Sequence, residues 1–282
     1  MNILYCGDRN ICDGVLISVL SLLKNVKENL NIYILTVGFK GEDRECLPVK
    51  GEFVKALEAL VKSADPKNTV TLIDARQQFN SVIPTANLKT RFTPCCMLRL
   101  YADIIPQLPD RILYLDNDVI CRGDFSEFYF QDMDKYELAG VLDHYGKHFF
   151  YNKPFKKEYL NSGVLLLNLE KIRETGLFEK CRERCRVRKM FMPDQSAINK
   201  LSRYKKIEDR KFNEQRKLQN DTVFQHFTTS FRFFPYFHSV SVKPWNEEGM
   251  HETLKLHEYD AIIEEYKQLK SKYSEIQGEP TK

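Results

Sequence analysis

Three short apolar runs, at residues 2–6, 31–37 and 69–74, alternate with stretches of helical periodicity, and this rhythm restricts the chain to few architectures. In the second run Ile32, Tyr33, Ile34 and Leu35 leave no polar face, the pattern of a strand covered on both sides. Val15, Val19, Leu22 and Leu23 recur at helical spacing over residues 15–24, with Asp13 as the expected N-cap, and residues 53–64 are amphipathic. Elements in this order predict an α/β domain around a largely parallel sheet. With 282 residues the chain has room for one such domain and an appendage.

Residues 94–105 read as a helix with Met97, Leu98, Tyr101, Ile104 and Ile105 on its apolar face. Arg99, inside that run, reads as a surface charge beside the face. The strand at residues 111–115 ends on Asp116-Asn117-Asp118. In extended backbone, positions i and i+2 share a side, so the two carboxylates converge if that geometry persists. Two such groups repel, and a chain that brings them together commonly supplies a cation. A hard divalent ion, of the kind that bridges protein to diphosphate, is the candidate. Two solvated acids at a polar strand end are the competing reading.

Residues 137–142 predict a strand ending on Asp143 and His144, and Asn161-Ser162-Gly163 enters the apolar strand of residues 164–167. Between them, residues 144–158 mix rings and bases, including His148, Phe149, Tyr151, Lys153 and Lys156. No nucleic-acid module accompanies them, so they read as a mobile loop over a pocket. A helix starting at Asn168 carries Arg182, Arg184, Arg186, Arg188 and Lys189, first a solvated face and second a peripheral contact with an anionic membrane. Pro193-Asp194-Gln195 opens another helix, its side chains near the positive end of the dipole. Residues 221–227 contain a strand presenting His226. An aromatic run follows (Phe231, Phe233, Phe234, Tyr236, Phe237), then Lys243-Pro244-Trp245 and a helix over residues 258–273 with Ile262, Ile263, Tyr266 and Leu269 as its stripe.

The net charge of +4 is too small to argue for nucleic acid. The eight cysteines include no Cys-x-x-Cys pair, and Cys6, Cys12 and Cys121 flank apolar runs, where a thiol acts as a small hydrophobe. With no leader and no long apolar run, a soluble protein of a reducing cytoplasm is expected.

Taken in order, these pieces resemble the family 8 glycosyltransferases, the retaining galactosyl- and glucosyltransferases of bacterial surface polysaccharide and of glycogenin type. The resemblance spans residues 2–246, and its most specific parts are residues 111–118, residues 161–169 and Lys243-Pro244-Trp245. It implies a single-domain GT-A fold over residues 1–246, a Rossmann-like nucleotide-binding mixed sheet flanked by helices, with residues 247–282 as a C-terminal helical extension. It also implies metal-dependent transfer of a hexose from UDP-glucose or UDP-galactose to a glycan or glycolipid hydroxyl, and no nucleic-acid partner.

Residue by residue, the resemblance gives Asp116, Asp118 and His226 to Mn2+ or Mg2+, and a carboxylate-imidazole set suits manganese better. It gives Asp8 and Asn10 to the uridine, Lys243 to the phosphates, and Arg99, Asn117, Asp143 and Asn161 to the donor. Gln195 and Asp194 are the catalytic candidates, a covalent intermediate through the amide being the weaker route. The sequence departs from the family in the long glycine-free insertion of residues 227–242, which makes His238 an alternative third ligand, and in Ser162 where alanine is usual. A sugar-nucleotide-forming nucleotidyltransferase competes as a reading, but Cys6-Gly7-Asp8-Arg9-Asn10 is no glycine-rich phosphate loop. A non-catalytic nucleotide-sugar-binding domain would not need every donor-site position filled by a competent residue.

Overall fold

The structure, a computed structural model, describes residues 1–41, 45–90, 93–146, 158–232, 234, 236 and 238–277. The apolar runs become β1 (Asn2–Gly7), β2 (Asn31–Thr36) and, after a small antiparallel pair of β3 (Phe39–Lys40) with β4 (Glu45–Cys46), β5 (Thr69–Asp74). These three long strands are parallel neighbours, and β1 pairs parallel on its other side with β6 (Arg111–Leu115).

Beyond β7 (Val119–Cys121), β8 (Leu138–Leu142) and β9 (Leu160–Asn168) extend the sheet, with β10 (Lys205–Glu208) at its edge. The order is β10-β8-β9-β6-β1-β2-β5. Only β9 runs against its neighbours, antiparallel to both β6 and β8. The sheet is therefore mixed, and the N-terminal end of β9 lies beside the C-terminal ends of β6 and β8.

Side chains alternate between two cores. Along β1, Ile3 and Tyr5 join one cluster and Leu4 the other; along β6, Leu113 and Leu115 oppose Ile112 and Tyr114. Helix α1 (Cys12–Asn25) is buried continuously from Gly14 to Leu22. Asp13 does not cap it: Ile11 holds the N-cap without a side-chain bond, and Asp13 instead pairs with Lys270 at 2.8 Å. Helix α2 (Gly51–Ala64) buries Phe53, Val54, Leu57 and Val61. The Asp260–Gln277 helix lays Ile263 and Tyr266 into the same core as α1, with Ile262 and Leu269 packed against it, and Lys24–Glu265 adds an ion pair.

Residues 94–105 wind more tightly than expected, as a 3-10 helix over Pro94–Ile104. The helix capped by Asn168 stops at Gly176, whose φ of 65° is left-handed, and a second helix, Leu177–Val187, starts there. This break divides the basic cluster. Arg186, Arg188 and Lys189 are exposed, whereas Arg182 turns inward to Asp103 and the Leu100 carbonyl. Arg182 is thus a buried partner rather than part of a solvated face, and burial pushes the Asp103 carboxyl up against the pull of Arg182.

All eight cysteines are free thiols, and among the described residues no helix is long and apolar enough to cross a membrane. Residues 147–157, expected to lie over a pocket, fall outside the described residues.

Replacing Arg182 by alanine leaves Asp103 buried and unpaired, and should lower stability by about 3–5 kcal/mol in urea unfolding. Replacing Arg182 and Asp103 together by methionine and leucine should recover most of that loss.

Candidate active site

The strand ends surround a cavity of about 610 Å3. Asp8 follows β1, Asp116, Asn117 and Asp118 follow β6, and Asp143 follows β8; Asn161 and Ser162 stand at the start of β9 and Asp194 and Gln195 in the first turn of the Pro193–Leu201 helix. Arg99, His226 and Lys243 complete the wall. Ligands of open α/β sheets characteristically lie outside such carboxyl ends. Asn10, expected at the site, is not on the lining: it is exposed, and its backbone N–H donates to Asp8 Oδ1 at 3.0 Å.

Asp116 and Asp118 do converge, though not through an extended strand. β6 ends at Leu115 and the two acids sit in a turn, closed by the Val119 N–H donating to the Asp116 carbonyl at 3.3 Å. Antiparallel pairing of β7 with β11 (Phe224–His226) sets His226 opposite Val119. Its Nε2 lies 3.2 Å from Asp118 Oδ1 and 3.5 Å from Asp116 Oδ2. Gly163 makes this approach feasible: a Cβ there would fall 2.1 Å from His226 Cε1 and 2.7 Å from Asp116 Oδ2. The Asp116 N–H meanwhile donates to the Gly163 carbonyl at 2.8 Å.

Lys243 donates to the Phe227 carbonyl at 2.9 Å and ion-pairs with Asp118. Burial pushes the Asp118 carboxyl up, but the Lys243 ammonium opposes it, and the group is held below its ordinary range. His238 is elsewhere, on β13 (His238–Val240), which pairs with β12 (Ser230–Arg232); its Nδ1 contacts the Tyr236 carbonyl at 2.9 Å. Within the aromatic run, Phe231 lines the cavity while Phe234 and Tyr236 are exposed; Phe233 and Phe237 lie outside the described residues.

Arg99 is not the surface charge its flanking position suggested. It is 4% exposed, with Nη2 at 2.9 Å from Asp116 Oδ1 and Nε at 3.2 Å from Asp194 Oδ2. It also donates to the Cys96 and Ser162 carbonyls and lies 4.0 Å over the Tyr114 ring. Asp143 Oδ2 accepts from Asn161 at 2.9 Å and from Gln195 at 3.1 Å. Gln195 Oε1 in turn accepts from the Ser162 N–H at 3.0 Å. Burial pushes the Asp194 carboxyl up, Arg99 opposing and Asp116 adding to the rise.

Two further residues touch this cluster without a motif that marks them. Tyr114, whose hydroxyl donates to Asp116 Oδ1 at 2.5 Å, was detectable in principle, two positions before Asp116 on a strand. Asn213, 3.1 Å from His226 Nδ1, carries no local signal.

The residues suit a divalent cation. One oxygen each from Asp116 and Asp118 and a nitrogen of His226 lie within 4.8 Å of one another, a donor set that first-row divalent ions accept. Along the lining, Asp8, Asp116, Asp118, Asp143 and Asp194 outnumber the cations Arg99 and Lys243, so a dication reduces an unbalanced negative charge.

The family model described as glycosyl transferase family 8 matches residues 2–249. The chain is 24% identical over 305 residues to a lipopolysaccharide 1,2-glucosyltransferase of Escherichia coli, covering 95% of this chain and 85% of that protein. It is 26% identical over 265 residues to a lipopolysaccharide 1,3-galactosyltransferase of Salmonella typhimurium, covering 88% and 74%. Among solved structures, the galactosyltransferase LgtC with donor and acceptor sugar analogues aligns with a TM-score of 0.66 at 16% identity, covering 95% of this chain and 96% of that one. GlyE of Streptococcus pneumoniae aligns with a TM-score of 0.59 at 18% identity over 94% of this chain and 63% of its own. The fold is GT-A, as the resemblance implied.

Alanine at Gly163 should cost about 1–3 kcal/mol in thermal or urea unfolding, because β9 or His226 must shift. Alanine at Gly123, where nothing lies within 4 Å of the new Cβ, should stay within about 0.5 kcal/mol of the parent.

Proposed function

The chain belongs to glycosyl transferase family 8, and from that premise we propose that it moves glucose or galactose from a UDP-sugar to a hydroxyl of a glycan or glycolipid, with retention of configuration and a divalent cation bound. The observation that carries this reading is the Asp116, Asp118 and His226 cluster at one end of an acid-rich cavity. A diphosphate entering that cavity meets repulsive walls unless a cation stands between. The named activities of the relatives, a glucosyl- and a galactosyltransferase of lipopolysaccharide, support the sugar and acceptor classes.

Asp116, Asp118 and His226 would hold Mn2+ (or Mg2+), and the bound ion would supply Lewis-acid stabilisation of the departing diphosphate. Lys243 adds a positive charge at the same end, reaching it from the Phe227 carbonyl that orients its ammonium. Asp8, beside the small Cys6-Gly7 pair, faces the nucleotide. Arg99, Asn117, Asp143, Asn161, Asp194 and Gln195 surround the sugar, and Asn10 has no direct part in this reading.

Neither catalytic candidate is suited to attack the anomeric carbon. The side-chain oxygen of Gln195 accepts from the Ser162 backbone N–H. Asp194 is paired with Arg99 and accepts from the Ser162 hydroxyl. This supports a route without a covalent intermediate. The C1–O bond to UDP breaks with its electron pair leaving on the phosphate; the acceptor oxygen bonds C1 on the same face, and its proton passes to the leaving phosphate oxygen. Asp194 and Gln195 then act by holding sugar hydroxyls and by stabilising charge that develops at the ring.

In this reading residues 1–246 form the catalytic unit and the C-terminal helix buttresses α1. The free thiols suit a reducing cytoplasm. A glycolipid acceptor would bring the enzyme to the inner face of the membrane as a peripheral protein.

Purified protein should release UDP from UDP-glucose or UDP-galactose only with Mn2+ or a similar ion present. Asp116→Ala should lower kcat/KM by roughly 100-fold or more. Turnover in excess chelator, or full activity of the variant, is the result that sinks the mechanism.

A further inference from the structure

The cation-facing histidine is joined to the sugar-facing side chains through buried amides whose orientation is determined. The Gly163 backbone N–H can only donate, and it points at Asn161 Oδ1 from 2.9 Å. That identifies the oxygen of Asn161, and its Nδ2 then donates to Asp143 Oδ2 at 2.9 Å. The other Asp143 oxygen accepts the Tyr145 and Gly146 backbone N–H groups at 3.1 Å and 2.5 Å. Asn161 Oδ1 also contacts the Asn213 amide at 3.0 Å, so the Asn213 nitrogen must face it. The Asn213 oxygen is left toward His226 Nδ1, 3.1 Å away. An amide oxygen only accepts, so Nδ1 carries the hydrogen.

In the neutral ring the lone pair is then on Nε2, which faces Asp118 Oδ1 at 3.2 Å and Asp116 Oδ2 at 3.5 Å. A lone pair opposite two carboxylates is repelled; with a cation among them it becomes a third donor. The amide cannot rotate without losing both contacts, and at 1% exposure no solvent would replace them. Backbone pairing holds Asn213 in place: the neighbouring Glu214 N–H donates to the Phe224 carbonyl at 2.8 Å, and the His226 N–H donates to the Glu214 carbonyl at 2.9 Å.

We propose that Asn213 is the positioning residue that holds His226 in its Nδ1–H tautomer and thereby makes Nε2 the third donor of the cation site. This rests on the reading that Asp116, Asp118 and His226 hold the cation. Asn161 donates to Asp143 and accepts from Asn213, so the sugar-facing and cation-facing groups share one hydrogen-bonded chain that ends on His226.

Two measurements on the whole metal-free chain test the proposal. Long-range 1H–15N correlation of the His226 ring, recorded on its neutral form, should show hydrogen on Nδ1 alone. A ring carrying its hydrogen on Nε2 overturns the inference, and this requires no variant to fold. Mn2+ binding, read from the electron paramagnetic resonance signal of the free ion without any nucleotide, should weaken about 10–100-fold in Asn213→Leu. His226→Ala is the reference. If it loses affinity and Asn213→Leu does not, the ligand reading stands and the role of Asn213 falls. If His226→Ala binds as tightly as the parent, the ligand reading itself fails and takes the inference with it.

Discussion

One buried guanidinium ties four chain segments at the mouth of the sheet. Arg99 reaches the Cys96 carbonyl of its own 3-10 helix, Asp116 at the end of β6, the Ser162 carbonyl of β9 and Asp194 of the Pro193–Leu201 helix. Taking an arginine out of water costs several kcal/mol, and only a dense set of partners offsets that. Burial lowers the tendency of Arg99 to hold its proton, but Asp116, Tyr114 and Asp194 more than reverse it and keep the group well above its ordinary range. A planar five-donor fork suits this position, since it can bond in several directions while its face lies on the Tyr114 ring.

The reversed strand β9 is the second constraint. Its register sets Val164 against Leu115 and Leu160 against Leu142, which brings residues 161–163 to the level of Asp116 and Asp143. A slip by one residue would exchange Leu165 and Leu167 with Leu166 between the two cores and turn Asn161 away from Asp143. The apolar half of β9 therefore guarantees the position of its polar start. Site groups on strand ends and a helix first turn are also held more rigidly than groups on long loops would be.

The elements that were legible are those whose cause is local. Residues 31–37 read as a doubly covered strand because an apolar run has that meaning wherever it lies, and in β2 Ile32, Ile34 and Leu35 are buried while Tyr33 is half-buried. Asp116 and Asp118 converge through a turn rather than extended backbone, and His226 joins them from β11. Arg99 reads as a surface charge because it flanks an apolar helix face, and Arg182 because it belongs to a basic cluster; neither has a visible partner. Their partners, Asp116 and Asp194 for one and Asp103 for the other, come from distant segments, and no periodicity records such meetings. Asn213 was invisible for the same reason, an asparagine in a polar stretch until the sheet sets it beside His226.

By itself the order of residues determined the strand-helix rhythm and the family, since apolar periodicity and short motifs are properties of neighbouring positions. Which groups meet was decided only by the tertiary structure. The pairing of β7 with β11 selects His226 over His238, the reversal of β9 delivers Gly163 where a side chain could not fit, and the exposed Asn10 is left off the cavity wall. Distances of 3 Å between residues far apart in the chain come from packing and register, and these the chain settles only when it folds.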